Sequence, residues 1–550
     1  MDVPVWVITV ALAAIAYASY RLVHRLRLSR AKHPSLQGHS KISKLLARFL
    51  PFYEYGDDRF FASDGAPEHV AARRARGFER LARQFAERAP KSLEFSRGLE
   101  EGISDLQFIN AYRVPFQFRN RVREQLRIGA VVTATQSNRV EDLDGNRAWD
   151  LTGSYGVNLF GYDFYKDCID RGVERVRELG PVLGRYHPLI ADNVDRLKAI
   201  SGLAEVSFHM SGTEAIMQAV RLARYHTGRS HLVRFCGAYH GWWEGVQPGV
   251  GNPGRAGDVY TLKDMDEDSL AVLRTRRDIA CVLVNPLQSL HPNANAPGDA
   301  TLISSDRRAG VDRAGYTRWL KTLREVCTAR GIVLIMDEIF VGFRLAYGGA
   351  QAYFDVRADL VTYGKTLGGG LPVGVVCGRA ALMKRYRDER PSDVCFARGT
   401  FNAHPYVMAT MNEFLTRIEE PERRASFETA DAQWNERAAR LNRRLEEQAL
   451  PVRVANLCSV WTITYELPGR YNWMFQFYLR AEGLALSWVG SGRLIFSHDF
   501  SDEDFEAVAD RFVAAAAAMQ ADGWWWQAPG LTNRSIRKQI FRELLASRFN

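Results

Sequence analysis

The sequence lacks the cysteine patterns that disulfide frameworks and structural metal sites require. Its 550 residues include seven cysteines, with no CxxC pair and no metal-ligand spacing. They are Cys168, Cys236, Cys281, Cys327, Cys377, Cys395 and Cys458. An odd number leaves at least one thiol unpaired under any disulfide scheme, so a reducing compartment fits best and we expect no metal ion.

Charge of one sign is not concentrated along the chain. Lys and Arg outnumber Asp and Glu by 73 to 63, giving a formal net charge of +10, but the two signs are mixed apart from a few local clusters. No nucleic-acid-binding motif accompanies the excess, so we expect no nucleic-acid partner. The apolar content of 46% is ordinary for a folded protein with a sizeable core.

A long apolar run occurs at the N-terminus, from Val5 to Val23. At about 1.5 Å per residue a helix of this length nearly spans the hydrocarbon layer of a bilayer. Basic residues lie near the end of the run and after it rather than before it, namely Arg21 within it and His24, Arg25, Arg27, Arg30 and Lys32 after it. This asymmetry predicts a single-pass anchor in the inner (cytoplasmic) membrane, with the rest of the chain in the cytoplasm. A cleaved signal peptide and a buried helix of the globular part are the alternatives.

From about residue 130, short apolar runs alternate with segments of helical period. The predicted strands are 206–210, 232–235, 281–284, 332–337 and 373–378, and the clearest helix is 214–224. Continuous apolar strands separated by helices predict an α/β fold with a mainly parallel sheet covered on both faces. Ligands of such sheets bind at the carboxyl ends of the strands.

The same patterns predict the order of domains, with a smaller α+β domain beside the large one. The basic tail carries an apolar face that could lie on an anionic membrane or dock on the protein itself. The expected units are 1–24, a transmembrane anchor; 25–104, a basic linker and helical region; 105–170, the N-terminal part of the small domain; 171–424, the large cofactor domain; 425–526, the C-terminal small domain; and 527–550, an amphipathic tail.

Asp337 closes an apolar strand and is followed at once by Glu338. A carboxylate there is expensive to desolvate unless it meets a cation. A protonated pyridine nitrogen is such a cation, and fixing that proton turns the ring into an electron sink. Ile339 points to the same side of an extended chain and could pack against the ring.

Lys365 lies directly after a short strand and before the glycine-rich turn Gly368–Gly370. An amine that forms a Schiff base must be partly desolvated, which suits a lysine at a strand end. The alternative for Gly-Lys-Thr is a nucleotide-binding loop. That loop requires a glycine where this chain has Asp359, so we set it aside.

Two further strand ends supply candidates for cofactor binding. Ser211, Gly212 and Thr213 open a helix, where backbone N–H groups and hydroxyls suit a phosphate, although any helix start has this composition. Tyr239 follows another strand and could stack on the opposite ring face from Ile339. His240 beside it is either polar support for the ring or a structural histidine.

These stretches resemble class-III aminotransferases of fold type I, which depend on pyridoxal 5'-phosphate (PLP). The similarity is greatest to the glutamate-1-semialdehyde 2,1-aminomutases and to the aminotransferase modules of polyketide and peptide synthases. It covers roughly residues 105–520 and rests on SGTEAIMQAVRLAR, GAYHG, MDEIFVGFRLAYGGAQAYF and GKTLGGGLPVGVVCGR.

The resemblance implies specific roles for the matching residues. Lys365 would hold PLP as a Schiff base, Asp337 would bond its pyridine nitrogen, and Ile339 and Tyr239 would sandwich its ring. Gly212 and Thr213 would bind the phosphate. Thr400 matches the family threonine that reaches the phosphate of the neighbouring subunit, which implies a homodimer with shared sites.

Two departures from the aminomutase pattern bear on the substrate. Where the family often has Glu-Pro after a strand, this chain has Asn285 and Pro286. An ungapped placement puts Gln117 where the aminomutase binds its substrate carboxylate through an arginine, although a short gap would restore Arg113 or Arg119. With Gln117 there, glutamate semialdehyde loses a charge-assisted contact worth about 1.5–3 kcal/mol.

These features together predict a membrane-anchored PLP-dependent aminotransferase. It would move an amino group from a donor to an aldehyde or ketone, which could be lipophilic or carrier-bound. The same-fold alternative is a glutamate-1-semialdehyde 2,1-aminomutase, which needs no separate donor. The alternative of another class is a non-catalytic membrane-tethered scaffold that retains the fold.

Overall fold

The computed structural model describes residues 4–31, 52–107, 114–129, 131–247, 257–263, 265–289, 311–486 and 493–549. The strands are β1 Ala134–Gln136, β2 Arg139–Glu141, β3 Arg147–Asp150, β4 Glu205–His209, β5 His231–Phe235, β6 Val259–Leu262, β7 Ile279–Val284, β8 Val333–Asp337, β9 Leu360–Gly364, β10 Gly374–Gly378, β11 Tyr386–Arg387, β12 Arg390–Val394, β13 Val452–Leu457, β14 Val460–Tyr465, β15 Leu484–Ala485 and β16 Arg493–Ile495. The α-helices are Val5–Ser29, Asp57–Phe60, Glu68–Arg88, Pro90–Glu100, Arg119–Gln125, Tyr162–Arg175, Leu189–Ser201, Gly212–Thr227, Glu267–Thr275, Arg313–Arg330, Gly349–Tyr353, Ala380–Met383, Pro405–Arg417, Pro421–Glu447, Phe475–Ala481, Asp502–Ala521 and Asn533–Phe549.

The large sheet has seven strands in the order β4-β10-β9-β8-β7-β5-β6. The pairs β5–β6, β5–β7, β7–β8 and β8–β9 are parallel, whereas β10 runs antiparallel to both β4 and β9. The predicted, mainly parallel α/β sheet is therefore confirmed, and each of the five predicted strands is present with ends shifted by no more than two residues. Every side chain of β7 and of β8 is buried, because helices cover both faces.

The helix Gly212–Thr227 packs on this sheet through the face that its sequence predicts. Four side chains at helical spacing, Ile216, Ala219, Val220 and Ala223, are fully buried. Burial of that face holds the helix against the sheet. The helix begins shortly after β4 ends. Its N-terminus therefore lies at the carboxyl edge of the sheet.

Smaller sheets flank the large one. Strands β13, β14 and β16 form an antiparallel sheet, packed by the helices Pro421–Glu447 and Asp502–Ala521. Strands β1, β2 and β3 form a meander, and β15 joins it parallel to β3. Leu151, directly after β3, donates its N–H to the carbonyl of Ala485 in β15. After β3 the chain continues through Leu151 into the Thr152–Gly156 loop, which lies beside the large sheet.

Residues 52–107, most of which fall in the predicted basic linker and helical region 25–104, pack into the globular body. Arg74, in the helix Glu68–Arg88, is fully buried and makes two hydrogen bonds to the Asp64 carboxylate, at 2.7 and 2.8 Å. Its Nε donates to the carbonyl of Gly523, near the end of the chain. A buried arginine with a paired carboxylate is a tertiary anchor rather than a feature of a solvated connection. Residues 32–51 lie outside the described residues.

The C-terminal helix Asn533–Phe549 docks on the protein, as one of the two alternatives for the tail predicted. Its Glu543 accepts hydrogen bonds from Tyr53 at 3.0 Å, from Tyr55 at 2.5 Å and from Arg470 at 3.0 and 3.1 Å. Ile536 of the same helix is fully buried. The tail therefore joins the N-terminal segment to the smaller domain.

The helix Val5–Ser29 is the one helix among the described residues with the length and hydropathy of a membrane span, and none of its span is buried. A signal sequence near an N-terminus passes the same test. The carbonyl of Ala31, just after this helix, accepts the N–H of Lys263 at 2.7 Å. The end of the helix is therefore tied to the folded body.

Candidate active site

Lys365 and Asp337 meet at one edge of the large sheet. Asp337 is the last residue of β8 and pairs with Thr362 in the parallel neighbour β9, and Lys365 directly follows β9. Because the carboxyl ends of parallel strands face the same edge, the two side chains belong to one site. Their electrostatic coupling agrees, since Asp337 favours the charged form of Lys365.

The backbone of Lys365 is left-handed, with φ of 50°. A non-glycine residue there is strained, and such strain is common at functional sites. Its Nζ donates to the carbonyl of Tyr155 at 2.5 Å and lies 4.5 Å from the centre of the Phe340 ring. Burial, assisted by the positive charges of Arg344 and Arg493, lowers the pKa of Lys365 to about 8, against the opposing effect of Asp337.

Gly156 lets the loop beside Lys365 approach this closely. It adopts φ of 97°, and a Cβ there would lie 2.7 Å from the ring of Phe340 and 3.4 Å from Cδ of Lys365. Ser154 and Tyr155 before it are also left-handed. The loop is thus held in an uncommon conformation that directs the Tyr155 carbonyl toward the amine.

Asp337 is 3% exposed and accepts two hydrogen bonds. Nδ1 of His240 lies 2.7 Å from one carboxylate oxygen, and the N–H of Ile339 donates to the other at 3.2 Å. Burial lowers the pKa of His240 although Asp337 opposes this, so the imidazole is neutral and donates through Nδ1. His240 therefore fixes the orientation of the Asp337 carboxylate.

The helix Gly212–Thr227 begins with N–H groups that suit an anion. The hydroxyl of Ser211 caps the helix by accepting the N–H of Glu214 at 3.3 Å. In the described part of the chain, the N–H groups of Gly212 and Thr213 have no acceptor. Ile339 packs directly on Gly212, because a Cβ there would lie 2.7 Å from its Cδ1. The predicted phosphate and ring-face residues are therefore adjacent.

Asn285, which stands where the family often has a glutamate, holds Tyr239 at the site. The ring of Tyr239 is 60% exposed, and the Tyr239 carbonyl accepts the side-chain N–H of Asn285 at 3.2 Å. Gln288 supports the same turn by donating to the carbonyl of Cys236 at 2.9 Å. A glutamate at position 285 would have no proton to donate when ionised, so the amide gives this turn a contact that the usual carboxylate lacks.

The remaining candidates Thr400 and Gln117, and the neighbouring Glu338, make contacts of other kinds. Thr400 is exposed, and its neighbour Gly399 lies near Glu214 of the same chain. Gln117 is buried and donates to the hydroxyl of Tyr53 at 3.1 Å. It therefore lies beside the contacts that dock the C-terminal helix Asn533–Phe549 on the protein. Glu338 accepts N–H groups at the start of the helix Gly349–Tyr353, and burial raises its pKa to about 8. These contacts give Glu338 a structural function.

Arg344 supports the site through contacts that no sequence pattern indicates. It is 1% exposed and donates to Ser459 Oγ at 2.8 Å, to the carbonyl of Phe496 at 2.6 Å and to that of Asn158 at 3.2 Å. It therefore joins the smaller sheet to the loop that contacts Lys365. No local motif marks this role, because all its partners are distant in sequence.

The residues present fit PLP. A buried carboxylate for a ring nitrogen, a half-buried amine with a lowered pKa and a helix N-terminus with free N–H groups are the three groups that hold such a cofactor. They lie at the ends of β8, β9 and β4, respectively. Among the described residues there is no cluster of His, Cys, Asp or Glu that could hold a metal ion.

Comparisons with known proteins agree with this geometry. The sequence model of the family described as "Aminotransferase class-III" matches residues 121–247 and 307–516. A glutamate-1-semialdehyde 2,1-aminomutase of Nitratidesulfovibrio vulgaris is 32% identical over 352 residues, which is 61% of this chain and 76% of that protein. The corresponding enzyme of Hyperthermus butylicus is 35% identical over 272 residues, 48% of this chain, and the match spans 61% of that relative.

Solved structures share the fold. A structure titled "Transaminase with PLP bound" superposes with a TM-score of 0.60 at 26% identity, covering 72% of this chain and 92% of the other. A glutamate-1-semialdehyde aminomutase from Pseudomonas aeruginosa reaches a TM-score of 0.65 at 19% identity, covering 82% of this chain and 99% of the other. The predicted fold type is therefore confirmed.

Proposed function

Because the chain belongs to the class-III aminotransferases, a PLP-dependent family, we propose that it transfers an amino group from a donor to an aldehyde or ketone while anchored to a membrane. The observation that carries this proposal is that Lys365 and Asp337 lie at the ends of the neighbouring parallel strands β9 and β8. A reactive amine and a charged carboxylate at one sheet edge are the two groups that amino transfer requires of the protein.

Bound PLP supplies an aldehyde and an electron-withdrawing ring, and the protein supplies orientation and proton transfer. Asp337 would hold positive charge on the ring nitrogen, and His240, at 2.7 Å, fixes the carboxylate. Gly212 and Thr213 would bind the phosphate, and Ile339 and Tyr239 would cover the two ring faces. Each of these roles was assigned from the sequence, and each of these residues lies at the same edge of the sheet.

Lys365 serves first as the amine that holds the cofactor and then as the base that moves a proton at Nζ. A pKa of about 8 keeps both protonation states populated near neutral pH, which a shuttle requires. The Tyr155 carbonyl, at 2.5 Å, gives the released ammonium group an acceptor. This contact holds the amine in position after it has released the cofactor and before it acts as a base.

The aminomutase is the second candidate, favoured by the names of the relatives. Its substrate would carry the amino group in and out, so no separate donor would be needed. Gln117 bonds to Tyr53 beside the C-terminal helix, so it gives no argument against the aminomutase. The alternative anchor Arg113 lies outside the described residues. The two reactions differ in one requirement, the amino donor.

The membrane part of the proposal rests on the helix Val5–Ser29 and the basic residues that follow Val23. A single-pass anchor with a cytoplasmic catalytic part agrees with seven cysteines that are all free and buried. An enzyme held at a bilayer meets lipophilic carbonyl compounds at high local concentration. A lipophilic or carrier-bound acceptor therefore suits this arrangement.

A homodimer with shared sites is also proposed, through Thr400. Large apolar side chains near it are exposed in the single chain, including Phe396 at 71% and Phe401 at 50%. Contiguous exposed apolar patches mark interfaces, and the proposal is that Phe396 and Phe401 belong to such a patch at the dimer contact. Phe396→Asp is expected to shift the molar mass measured by light scattering from dimer to monomer, and an unchanged dimer would contradict the use of this surface.

The test of function uses the full chain with a panel of amino donors and carbonyl acceptors, followed by mass spectrometry of the products. Lys365→Ala is expected to abolish amino transfer and the visible absorbance of the cofactor-loaded protein, whereas the exposed Lys198→Ala control retains both. Turnover of glutamate semialdehyde without any donor would favour the aminomutase. Normal activity in Lys365→Ala would overturn the proposal, and inertness of the wild type throughout would favour the scaffold.

A further inference from the structure

The Thr152–Gly156 loop has an unfavourable backbone at the point where it meets the reactive amine. Its Tyr155 carbonyl accepts the hydrogen bond from Nζ of Lys365. Ser154 and Tyr155 are consecutive left-handed residues with side chains, with φ of 43° and 58°. Left-handed backbone is costly for a residue that has a Cβ, and it persists only where the surroundings impose it. Other contacts must therefore hold this loop.

Packing does not hold the middle of the loop. Gly153 and Gly156 pack closely on Ile495 and Phe340, respectively. Tyr155, between these two glycines, is 42% exposed and lines a cavity of about 490 Å³ that the reactive lysine does not line. The loop therefore lies between this cavity and the amine. A segment with open space on one side can move away unless hydrogen bonds fix it.

A network of hydrogen bonds ties the loop to the carboxylate of Asp150. The hydroxyls of Ser154 and Tyr162 are 2.8 Å apart, and Tyr162 donates to Oδ2 of Asp150 at 2.8 Å. Because the single hydroxyl proton of Tyr162 goes to the carboxylate, Ser154 is the donor to Tyr162. Oδ1 of Asp150 accepts the N–H and the hydroxyl of Thr152 at 2.8 and 2.5 Å. The Thr152 hydroxyl in turn accepts the N–H of Ser154 at 3.0 Å.

These four residues, called the Asp150 network below, are attached to rigid parts of the fold. Asp150 is 2% exposed and is the last residue of β3. Tyr162 is the first residue of a 14-residue helix, and its N–H donates to the Ser137 carbonyl at 2.8 Å. Beyond the other end of the loop, the buried Arg344 donates to the Asn158 carbonyl at 3.2 Å. The loop is thus held on both sides by buried charged side chains.

We propose that the Asp150 network positions Lys365 for proton transfer by holding the Tyr155 carbonyl against its amine. The inference rests on the proposed amino transfer and deepens it. Asp150, Tyr162 and Ser154 are positioning residues, because they act on the amine through the loop backbone. Proton transfer depends steeply on position, and a displacement of about 1 Å can cost about 100-fold in rate.

The first measurement needs neither cofactor nor turnover. In the cofactor-free full chain, modification of Lys365 by trinitrobenzenesulfonate is followed against pH by mass spectrometry. Tyr162→Phe and Ser154→Ala each remove one hydroxyl of the Asp150 network. A carbonyl that accepts a hydrogen bond from the ammonium group favours the charged form. Both variants should therefore lower the midpoint by about half a pH unit or more, as expected for the loss of one hydrogen bond.

The charged groups that act on Lys365 remain in place in both variants. They are Asp337, Arg344 and Arg493. The matched control is Tyr260→Phe, because the Tyr260 hydroxyl donates to Asp278 at 2.7 Å in the edge strand β6. This control removes a Tyr–Asp hydrogen bond of the same kind away from the loop, so it should leave the midpoint unchanged.

The second measurement separates positioning from binding in the cofactor-loaded full chain. In Tyr162→Phe, kcat with an amino donor should fall at least about tenfold, whereas KM should change less than about twofold. A donor deuterated at the carbon that loses its proton should show a larger isotope effect on kcat than in the wild type, because proton transfer becomes the slow step. The visible absorbance of the cofactor should remain, since Lys365 is intact.

The outcomes separate this inference from the proposed function. If the wild type aminates no acceptor, amino transfer fails, and the titration of Lys365 still decides whether the network positions the amine. An unchanged midpoint in both variants would overturn the inference, as would unchanged kcat in an active enzyme. A rise in KM alone, or an equal midpoint shift in Tyr260→Phe, would overturn it too. If Tyr162→Phe does not fold, the smaller change Ser154→Ala undergoes the same measurements.

Discussion

The amine of Lys365 is expected to titrate near pH 8 rather than near pH 10.5, the ordinary value for lysine. Burial disfavours the charged form, and the positive charges of Arg344 and Arg493 act in the same direction. At pH 7 a lysine with a pKa of 8 is about 9% neutral, whereas one with a pKa of 10.5 is about 0.03% neutral. Lys365 should therefore react about 300 times faster than an ordinary lysine of equal access.

The assay uses cofactor-free protein and trinitrobenzenesulfonate, which reacts only with neutral amines. Modification of the peptide containing Lys365 is followed by mass spectrometry from pH 6 to pH 10, and Lys365→Ala identifies the signal from other lysines. The rate should rise tenfold per pH unit below about pH 8 and level off above it. This readout involves no substrate and no turnover.

Asp337→Asn supplies the directional check. Asp337 favours the charged amine, so removing its charge should move the midpoint below 8. The asparagine has nearly the same shape and can still bond to His240, so the site should keep its geometry. A wild-type midpoint near 10.5, or a midpoint that does not respond to Asp337→Asn, would refute the electrostatic account of this site.

Three further predictions concern the supports of the site and fold. Asn285→Asp removes the donor to the Tyr239 carbonyl and should destabilise that turn by about 1–3 kcal/mol, measured as weaker PLP binding in a fluorescence titration; unchanged affinity would contradict it. Gly156→Ala adds a Cβ where φ is 97° and should lower both the melting temperature and the activity, so a fully active variant would be evidence against the close approach. Glu543→Ala leaves the buried Arg470 without its carboxylate and should cost about 3–5 kcal/mol in calorimetry. Desolvation raises the pKa of Glu543, but Arg470 outweighs it and holds that pKa below its usual value. The wild type should therefore lose this stabilisation as acid protonates the carboxyl. A melting temperature that changes neither with Glu543→Ala nor with acid would count against tail docking.

The sequence predicted the fold best where a physical requirement leaves a local pattern. Strands such as β7 and β8 must be apolar throughout because both their faces are covered, and their positions were correct to within two residues. The buried face of the helix Gly212–Thr227 was correct for the same reason. β6 was missed because it is an edge strand with mostly half-buried side chains, so it lacks the continuous apolar run of the central strands.

The candidate site was predictable only in its chemistry-bearing residues. Lys365 and Asp337 follow recognisable strands, so their residue type and place in the pattern identified them. The partners of Arg344 are Ser459, Phe496 and Asn158, which lie more than a hundred residues away in either direction. Hydrogen bonds to such distant groups leave no spacing to detect, which is why the supports of the site appear only in three dimensions.

The same contrast separates chemistry from substrate choice in this chain. An electron sink needs an amine, a carboxylate and N–H groups in fixed geometry, so few residue types serve and the family match includes them all. A hydrocarbon chain needs only a dry space of suitable shape, which many apolar side chains can form. Phe85, Leu93 and Leu106 therefore carry no motif although they bound the cavity beside Tyr155.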